Sequence, residues 1–383
     1  MRPPDLTISL EHLRRLTDCS GVIQHANYAL PDYRTGYTTD DNARALMVAV
    51  RHHRIYGDDL SRELATRYLA FLNYAQEEDG RFHNFIGYDR RFLEETESED
   101  TFGHALSAVA HLLHSPPYSG LTGAAERIFH LALPHVGDLE HPRGRALSVI
   151  ALYWWAKARP TEAPRANQMI RPLADYLLAR FNEHSRPDWR WLLPEMTYGN
   201  AKLPEALFRA YQMTGDAGYL KVARTSFDFL SEKAFPGEVL CLVGNHGWYR
   251  QSDEEPPLYD QQPIDAAAMV EAALAAFEAT NEADYLRRAQ LALEWFFGRN
   301  IRGESLYDPE TGGCFDGLMD TGVNRNCGAE STICLLLAHL SMLDTLREVS
   351  WAAGTARPSA LSASLATPAN PARKAIIQRH PGP

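Results

Sequence analysis

The chain has 383 residues, 45% hydrophobic and 23% charged, with a formal net charge of −11. A chain of this length buries about three quarters of its extended surface on folding, so a large core is expected, and an acidic balance without Lys/Arg clusters excludes DNA or RNA as partners, because that binding rests on phosphate neutralisation. No run reaches the roughly 18 to 20 consecutive apolar residues of a membrane span, and Met1-Arg-Pro-Pro-Asp5 leads into no apolar signal core, so a soluble, cytoplasmic protein with no membrane partner is expected.

In chain order, apolar residues at helical spacing define two alternating kinds of helix. Residues 8–17 are amphipathic, residues 41–55 apolar nearly all round. In 59–76, Leu60, Leu64, Phe71 and Leu72 are opposed by Arg62, Glu63 and Arg67, so one face meets solvent. The alternation continues with 101–114 (apolar), 121–134 (amphipathic), 144–158, 164–182, 203–213, 217–232, 266–276, 282–297 and 333–340. Strand-like stretches are few, and Val239–Val243, in a long loop, is the foremost of them. From about Ser350 the chain is rich in Ala, Pro and Ser, which predicts a disordered tail over 350–383 after a single domain over 1–349. Five scattered cysteines without a C-x-x-C pair read as reduced, mostly packed thiols.

An internal repeat supports the alternation: Thr214-Gly-Asp-Ala-Gly-Tyr-Leu220 and Thr280-Asn-Glu-Ala-Asp-Tyr-Leu286 match 66 residues apart. About a dozen helices of two kinds predict an all-α (α/α)6 toroid, or barrel, of six helical hairpins. The apolar helices line its axis, the amphipathic ones wrap them, and long loops gather at one mouth.

The apolar helices share a further property: polar clusters at their N-termini. These are Tyr37-Thr-Thr-Asp-Asp-Asn-Ala-Arg44, Glu97-Ser-Glu-Asp-Thr-Phe-Gly-His104, Gly199-Asn-Ala-Lys-Leu-Pro-Glu205, Asp260-Gln-Gln-Pro-Ile-Asp265 and Asn324-Arg-Asn-Cys-Gly-Ala-Glu330. The remaining apolar helix opens on the cationic Arg143-Gly-Arg145. Inner helices of an up-down ring run the same way, so the clusters are predicted to meet at one mouth. Thr39, Asp40, Ser98 and Asn200 are assigned to helix capping. The carboxylates beyond what capping requires suit acid/base chemistry, which makes Asp41, Asp100, Glu205, Asp265 and Glu330 the catalytic candidates. Aromatic rings in the same loops, Tyr37, Trp191 and Trp248 among them, offer apolar faces to sugar C–H groups, while Arg44, Arg90, His104, His246 and Gln262 bind hydroxyls or orient carboxylates. His111 and His114 have ligand-compatible spacing but no accompanying carboxylate or Cys motif, so no metal and no cofactor is expected.

The pattern resembles the six-hairpin glycosidase-like superfamily of (α/α)6 barrels, and within it a bacterial group found beside, or fused to, glycosyltransferases and near mannoside phosphorylases. The matching segments are Gly36–Arg44, Tyr88-Asp-Arg-Arg91, Ser98-Glu-Asp100 with Gly103-His104, Leu203–Leu207, Asn245–Tyr249, Gln261–Ile264 and Gly328–Ser331, spread over about residues 20 to 345. One departure is Cys327, where Gln is expected before Gly-Ala-Glu. The resemblance implies an oligosaccharide or glycan substrate and a glycosyltransferase partner. It assigns no catalytic residue and no oligomeric state.

These residues predict an inverting glycoside hydrolase acting on an oligosaccharide or short glycan, which the resemblance implies contains mannose or glucose. Inversion needs a protonated and an ionised carboxyl roughly 6.5 to 9.5 Å apart. Asp41, at a helix start that favours the ionised form, is expected to be the base, and a deeper Glu205 the acid, with Asp100, Asp265 and Glu330 as competitors. The alternatives are a sugar epimerase or isomerase using paired His104 and His246, and a non-catalytic glycan-binding partner of a glycosyltransferase.

Overall fold

A computed structural model describes residues 8–93 and 98–352, the side chains of 350–352 excepted. Glu97 and most of the proposed tail, residues 353–383, lie outside the described residues. Ile8–Met342 forms one compact unit and carries the site. Of the second unit, Leu343–Ala352 is described, as the end of the last helix.

Among the described residues there are twelve α-helices: α1 (Glu11–Leu16), α2 (Thr39–Tyr56), α3 (Asp59–Ala75), α4 (Glu99–His114), α5 (Thr122–Ala132), α6 (Pro142–Ala158), α7 (Ala163–His184), α8 (Lys202–Thr214), α9 (Ala217–Ala234), α10 (Pro263–Thr280), α11 (Ala283–Glu294) and α12 (Ala329–Ala352). The even-numbered helices pack on one another in series, α2 on α4, α4 on α6, α6 on α8 and α8 on α10, and each of α3, α5, α7, α9 and α11 packs on the helix before it. Side-chain bonds close the ring: Ser341 on α12 donates to Glu271 on α10 (3.4 Å), and Arg44 on α2 donates to Glu330 on α12 (3.0 Å). The predicted (α/α)6 barrel is the observed fold, with the apolar helices inside. The stretch Ala329–Val349 is long and apolar enough to cross a membrane by length and composition, but 72% of its most apolar window is buried within the protein, the condition of an inner barrel helix.

The repeat has a physical origin in the turn from inner to outer helix. Gly215 and Asn281 end α8 and α10 in the left-handed region (φ 70° and 59°), a backbone that Gly and Asn adopt at least cost. In both turns the threonine before them bonds back to the carbonyl four residues earlier (2.7 and 2.8 Å). Tyr219 and Tyr285 then bury the first turn of α9 and α11.

Strands are short and lie in the loops, as four antiparallel pairs: 26–27 with 30–31, 37–38 with 85–86, 195–196 with 249–250, and 317–319 with 322–324. The expected strand at Val239–Val243 is not one of them. Leu240 makes a single bridge to Asn300, and Leu240–Val243 is buried, so its apolar run reflects burial of a loop.

The capping assignments also differ. Thr38, not Thr39, precedes α2, and neither it nor Ser98 makes a side-chain cap. Asn84 supplies the oxygen instead, accepting from the backbone of Thr39 (3.2 Å) and Asp40 (3.3 Å). Glu99 reaches across from α4 to accept from Glu140 and His141 (2.8 and 2.7 Å) just before α6. The helix starts are thus stitched to one another by neighbours, which fixes their mutual position more firmly than local caps would.

Glycine allows the closest inner approach. A Cβ at Gly103 on α4 would lie 2.5 Å from Leu147 Cβ on α6, and one at Gly144 would lie 2.7 Å from Glu99 Cβ. Gly103→Ala is expected to force α4 and α6 apart and cost about 1–3 kcal/mol in urea unfolding. Gly123→Ala, in open space on outer helix α5, should be neutral or stabilising by up to about 1 kcal/mol. Equal effects at the two positions would contradict this packing.

Candidate active site

The first turns of the inner helices bring two ion-paired groups to one mouth, and a third lies beneath them. In the first, Arg44 is buried and donates to Asp41 Oδ1 (2.9 Å) and Glu330 Oε2 (3.0 Å), while the Thr38 hydroxyl donates to Asp41 Oδ2 (2.8 Å). Burial pushes the Asp41 carboxyl up to about 7, against the pull of Arg44 and with help from the charges of Asp40 and Glu330. Burial thus opposes the ionised form that the helix start was expected to favour, while the Arg44 guanidinium holds it.

The second group joins α4, α6 and the loop before α8. Arg143 donates to Asp100 Oδ2 (2.8 Å) and to the Thr197 hydroxyl (3.1 Å), and its guanidinium lies 3.7 Å from the centre of the Tyr198 ring. Tyr198 itself donates to Asp100 Oδ2 (2.9 Å). Asp100 is thus clamped by a cation and a phenol.

The third group is deeper. Lys202 donates to Glu205 (2.8 Å) and to Glu271 (2.6 Å), and Arg51 approaches Glu271 at 3.6 Å. Glu271 lies six residues beyond Asp265 on α10, roughly 9 Å further down the axis. Burial alone would raise Glu271, but Lys202 and Arg51 override it and bring the carboxyl down to about 2. Glu205 goes the other way, raised because burial outweighs its single partner Lys202. Glu205 is held in a salt bridge rather than presented to a ligand, which corrects its expected role as the acid.

Asp265 is different from all of these. Its carboxyl accepts backbone N–H bonds from Gly199 (2.7 Å) and Asn200, and no ion pair reaches it among the described residues. Burial pushes it up to about 7, opposed by the Gly199 N–H and reinforced by the Glu330 charge. It keeps 7% of its surface exposed. Beside it Glu330 is 44% exposed through its side chain and opens into a cavity of about 180 Å³, also lined by His25, Asp260, Gln262, Asp316 and Ser331. Asp316 holds that wall, accepting from the Gly328 backbone (2.7 Å) and the Ser331 hydroxyl (2.5 Å).

Of the remaining predicted residues, His104 sits one turn into α4, partly exposed to the interior and without a hydrogen-bond partner among the described residues. Burial, then Arg44 and Lys202, push its imidazole well below the ordinary value, which keeps it neutral. Gln262 immediately precedes α10 and lines the cavity. His246 is on an exposed loop, 3.4 Å from Asp260, and Trp248 is half-buried with its ring 6.2 Å from Tyr198. Three expectations are corrected. Trp191 is fully buried and offers no face to a ligand. Tyr37 is buried too, donating to Asp18 (2.7 Å) and packing on Phe71 (5.8 Å). Arg90 points to Cys19 (3.4 Å) in a loop outside the ion-paired groups. Cys327 is buried, and its backbone donates to Tyr28 (2.8 Å).

Arg143, Tyr198, Lys202 and Glu271 were not singled out from the sequence as site residues. The signals were present: Arg143 opens the one cationic inner helix, Lys202 and Glu205 are spaced for pairing on a helix, and Glu271 is a lone charge in the apolar run Ala266–Ala276.

No family model and no curated protein matches the chain. Solved structures do. A cellobiose 2-epimerase from Bacillus thermoamylovorans aligns over 89% of this chain and 96% of its own at 12% identity, with a TM-score of 0.68. A D-mannose isomerase aligns over 88% and 96% at 12% identity, with a TM-score of 0.66. A GH76 alpha-mannanase from Bacteroides thetaiotaomicron aligns over 88% and 93% at 10% identity, with a TM-score of 0.62. These likenesses establish the fold as that of the six-hairpin (α/α)6 barrels.

The raised carboxyl of Asp265 has a consequence for stability. The folded state holds its proton up to about pH 7, whereas in the unfolded chain it leaves near 3.8. More protons are bound in the folded state between these values, so stability falls as pH rises through that window. Asp265→Asn removes the loss. In urea unfolding it should match the parent near pH 4 and exceed it by up to about 4 kcal/mol near pH 8. A variant less stable than the parent at both pH values would contradict the assignment.

Proposed function

We propose that this chain is a carbohydrate-active enzyme, an inverting glycoside hydrolase on an oligosaccharide or short glycan containing mannose or glucose. One observation carries the reading. A buried carboxyl free of ion pairs and raised to about 7, Asp265, stands near an open carboxylate paired with a buried guanidinium, Glu330, on neighbouring inner helices at one mouth. Asp265 would protonate the departing glycosidic oxygen. Glu330 would take a proton from the water that attacks the anomeric carbon, so one water is consumed per bond broken. An inverting mechanism requires these two carboxyls to stand roughly 6.5 to 9.5 Å apart across the bound sugar. Arg44 orients Glu330, Arg143 fixes Asp100 at the opposite wall, and Gln262 and His25 supply hydroxyl partners along the cavity. The names of the fold neighbours, a cellobiose epimerase, a mannose isomerase and an alpha-mannanase, supply the sugar class.

A second reading, a sugar epimerase or isomerase, rests on the place of His104, an imidazole inside the barrel with no hydrogen-bond partner among the described residues. The paired partner expected for it, His246, is 72% exposed and lies 3.4 Å from Asp260, so within the barrel this reading rests on His104 and the carboxyls.

Incubation with α-1,6-manno- and cello-oligosaccharides in deuterated water separates the two. Hydrolysis gives new reducing ends whose first-formed anomer by proton NMR is opposite to the bond cleaved. Epimerisation gives carbon-bound deuterium and no new ends. Under the hydrolase reading, Asp265→Asn and Glu330→Gln each lower kcat by about 10²- to 10⁴-fold, and kcat of the parent falls as pH rises through about 7, where Asp265 loses its proton. Full turnover in both variants would end the assignment.

A further inference from the structure

Outside the ion-paired groups, a cluster of exposed rings is the most unusual surface feature. Tyr28, Tyr33, Tyr88 and Phe92 are between 39% and 66% exposed, and they stand on two adjacent loops. One is the hairpin 26–31 with the turn that follows it, the other the segment 85–92. Scattered exposed aromatics need no explanation, but Tyr33 and Tyr88, whose rings meet, are not scattered.

These rings are held in place. Tyr33 and Tyr88 meet at 5.0 Å between centroids, and Tyr88 also stacks on Tyr37 at 6.2 Å and 18°. Tyr37 is in turn fixed by its bond to Asp18 and by a buried apolar cluster with Ile23, Phe71, Ala75 and Ile86. The loops are pinned together by the pairing of Tyr37–Thr38 with Phe85–Ile86. Gly36 permits that pairing: its φ is 64°, and a Cβ there would sit 2.3 Å from the Ile86 carbonyl. A ring backed by a rigid ring is pre-organised, so a ligand stacking on it loses little side-chain freedom.

The loop that carries Tyr33 is bonded to the cavity wall. His25 lines the cavity and its carbonyl accepts from Asp32, the residue before Tyr33 (2.9 Å). Tyr28 donates through its backbone to Asn326, four residues before Glu330 (2.9 Å). The rings are interleaved with polar groups, the Asp32–Arg34 ion pair and Asp89 with Arg91. Flat apolar faces edged by hydrogen-bonding groups suit a sugar ring, which is apolar on its C–H face and polar around its rim.

We propose that Tyr33 and Tyr88 form a stacking platform for the sugar rings of a glycan that extends out of the cavity, so that the preferred substrate is a chain of several sugars rather than a mono- or disaccharide. Tyr37 is a positioning residue that backs this platform. The inference rests on the carbohydrate reading of the site and names its substrate class.

The test uses the full chain carrying Asp265→Asn, so that binding is read without turnover, titrated calorimetrically with α-1,6-mannobiose and mannohexaose and with cellobiose and cellohexaose. The expected result is tighter binding of one hexaose than of its biose, with that advantage reduced roughly three- to tenfold by Tyr88→Ala or Tyr33→Ala and kept by Tyr88→Phe. Biose affinity should not move. An unchanged hexaose advantage in both alanine variants would overturn the platform while leaving the carbohydrate reading intact. Failure of all four sugars to bind would overturn both. A concentration-dependent dimer in sedimentation that Tyr88→Ala abolishes would show the rings cover a second copy of the chain, and would also overturn the proposal.

Discussion

Arg44 ties the first inner helix to the last. Buried between Asp41 on its own helix and Glu330 on α12, it lies where the ring must close, and its charge cannot be left unpaired in that position without severe cost. Because all inner helices share one direction, this closure brings every polar N-terminus to the same mouth. The charges of the site are thus a product of ring closure rather than of any single loop.

Burial then sorts those charges. Asp41, Asp265 and Glu271 are all buried carboxyls on inner helices, yet their environments push them apart: the first two rise to about 7, and Glu271, between Lys202 and Arg51, drops to about 2. The difference is the number of cations in contact, two for Glu271, one for Asp41, none for Asp265. Carboxyls with separated proton affinities at one end of the barrel suit acid/base chemistry. The deeper layer continues down the axis, with Arg51 bonded to Ser341 and His111, and Arg209 to Glu278. It anchors α2, α4, α8, α10 and α12 to one another beneath the site.

Much of the fold was legible because it depends on periodicity. The alternation of apolar and amphipathic segments matched the inner and outer helices, and the repeat at Thr214 and Thr280 marked two equivalent turns. What periodicity cannot show is which side of a loop residue faces the core. Trp191 and Tyr37 have the chemistry of sugar-binding rings, but one is packed in the interior and the other supports an exposed ring. Val239–Val243 has strand composition and is a buried loop. The caps were assigned locally, while the structure supplies them from Asn84, Glu99 and other distant residues. Within the site, the ranking of the candidate carboxylates depended on their partners: Asp41 is held by Thr38 and Arg44, and Glu205 by Lys202, whereas no cation contacts Asp265 among the described residues and Glu330 opens to the cavity.

A crystal structure of the chain carrying Asp265→Asn with an uncleaved oligosaccharide tests this account most directly. It predicts the scissile glycosidic oxygen within hydrogen-bonding distance of the side chain at position 265 and a water held by Glu330 on the opposite face of the sugar ring. A sugar seated with its glycosidic oxygen beyond reach of both positions would contradict it.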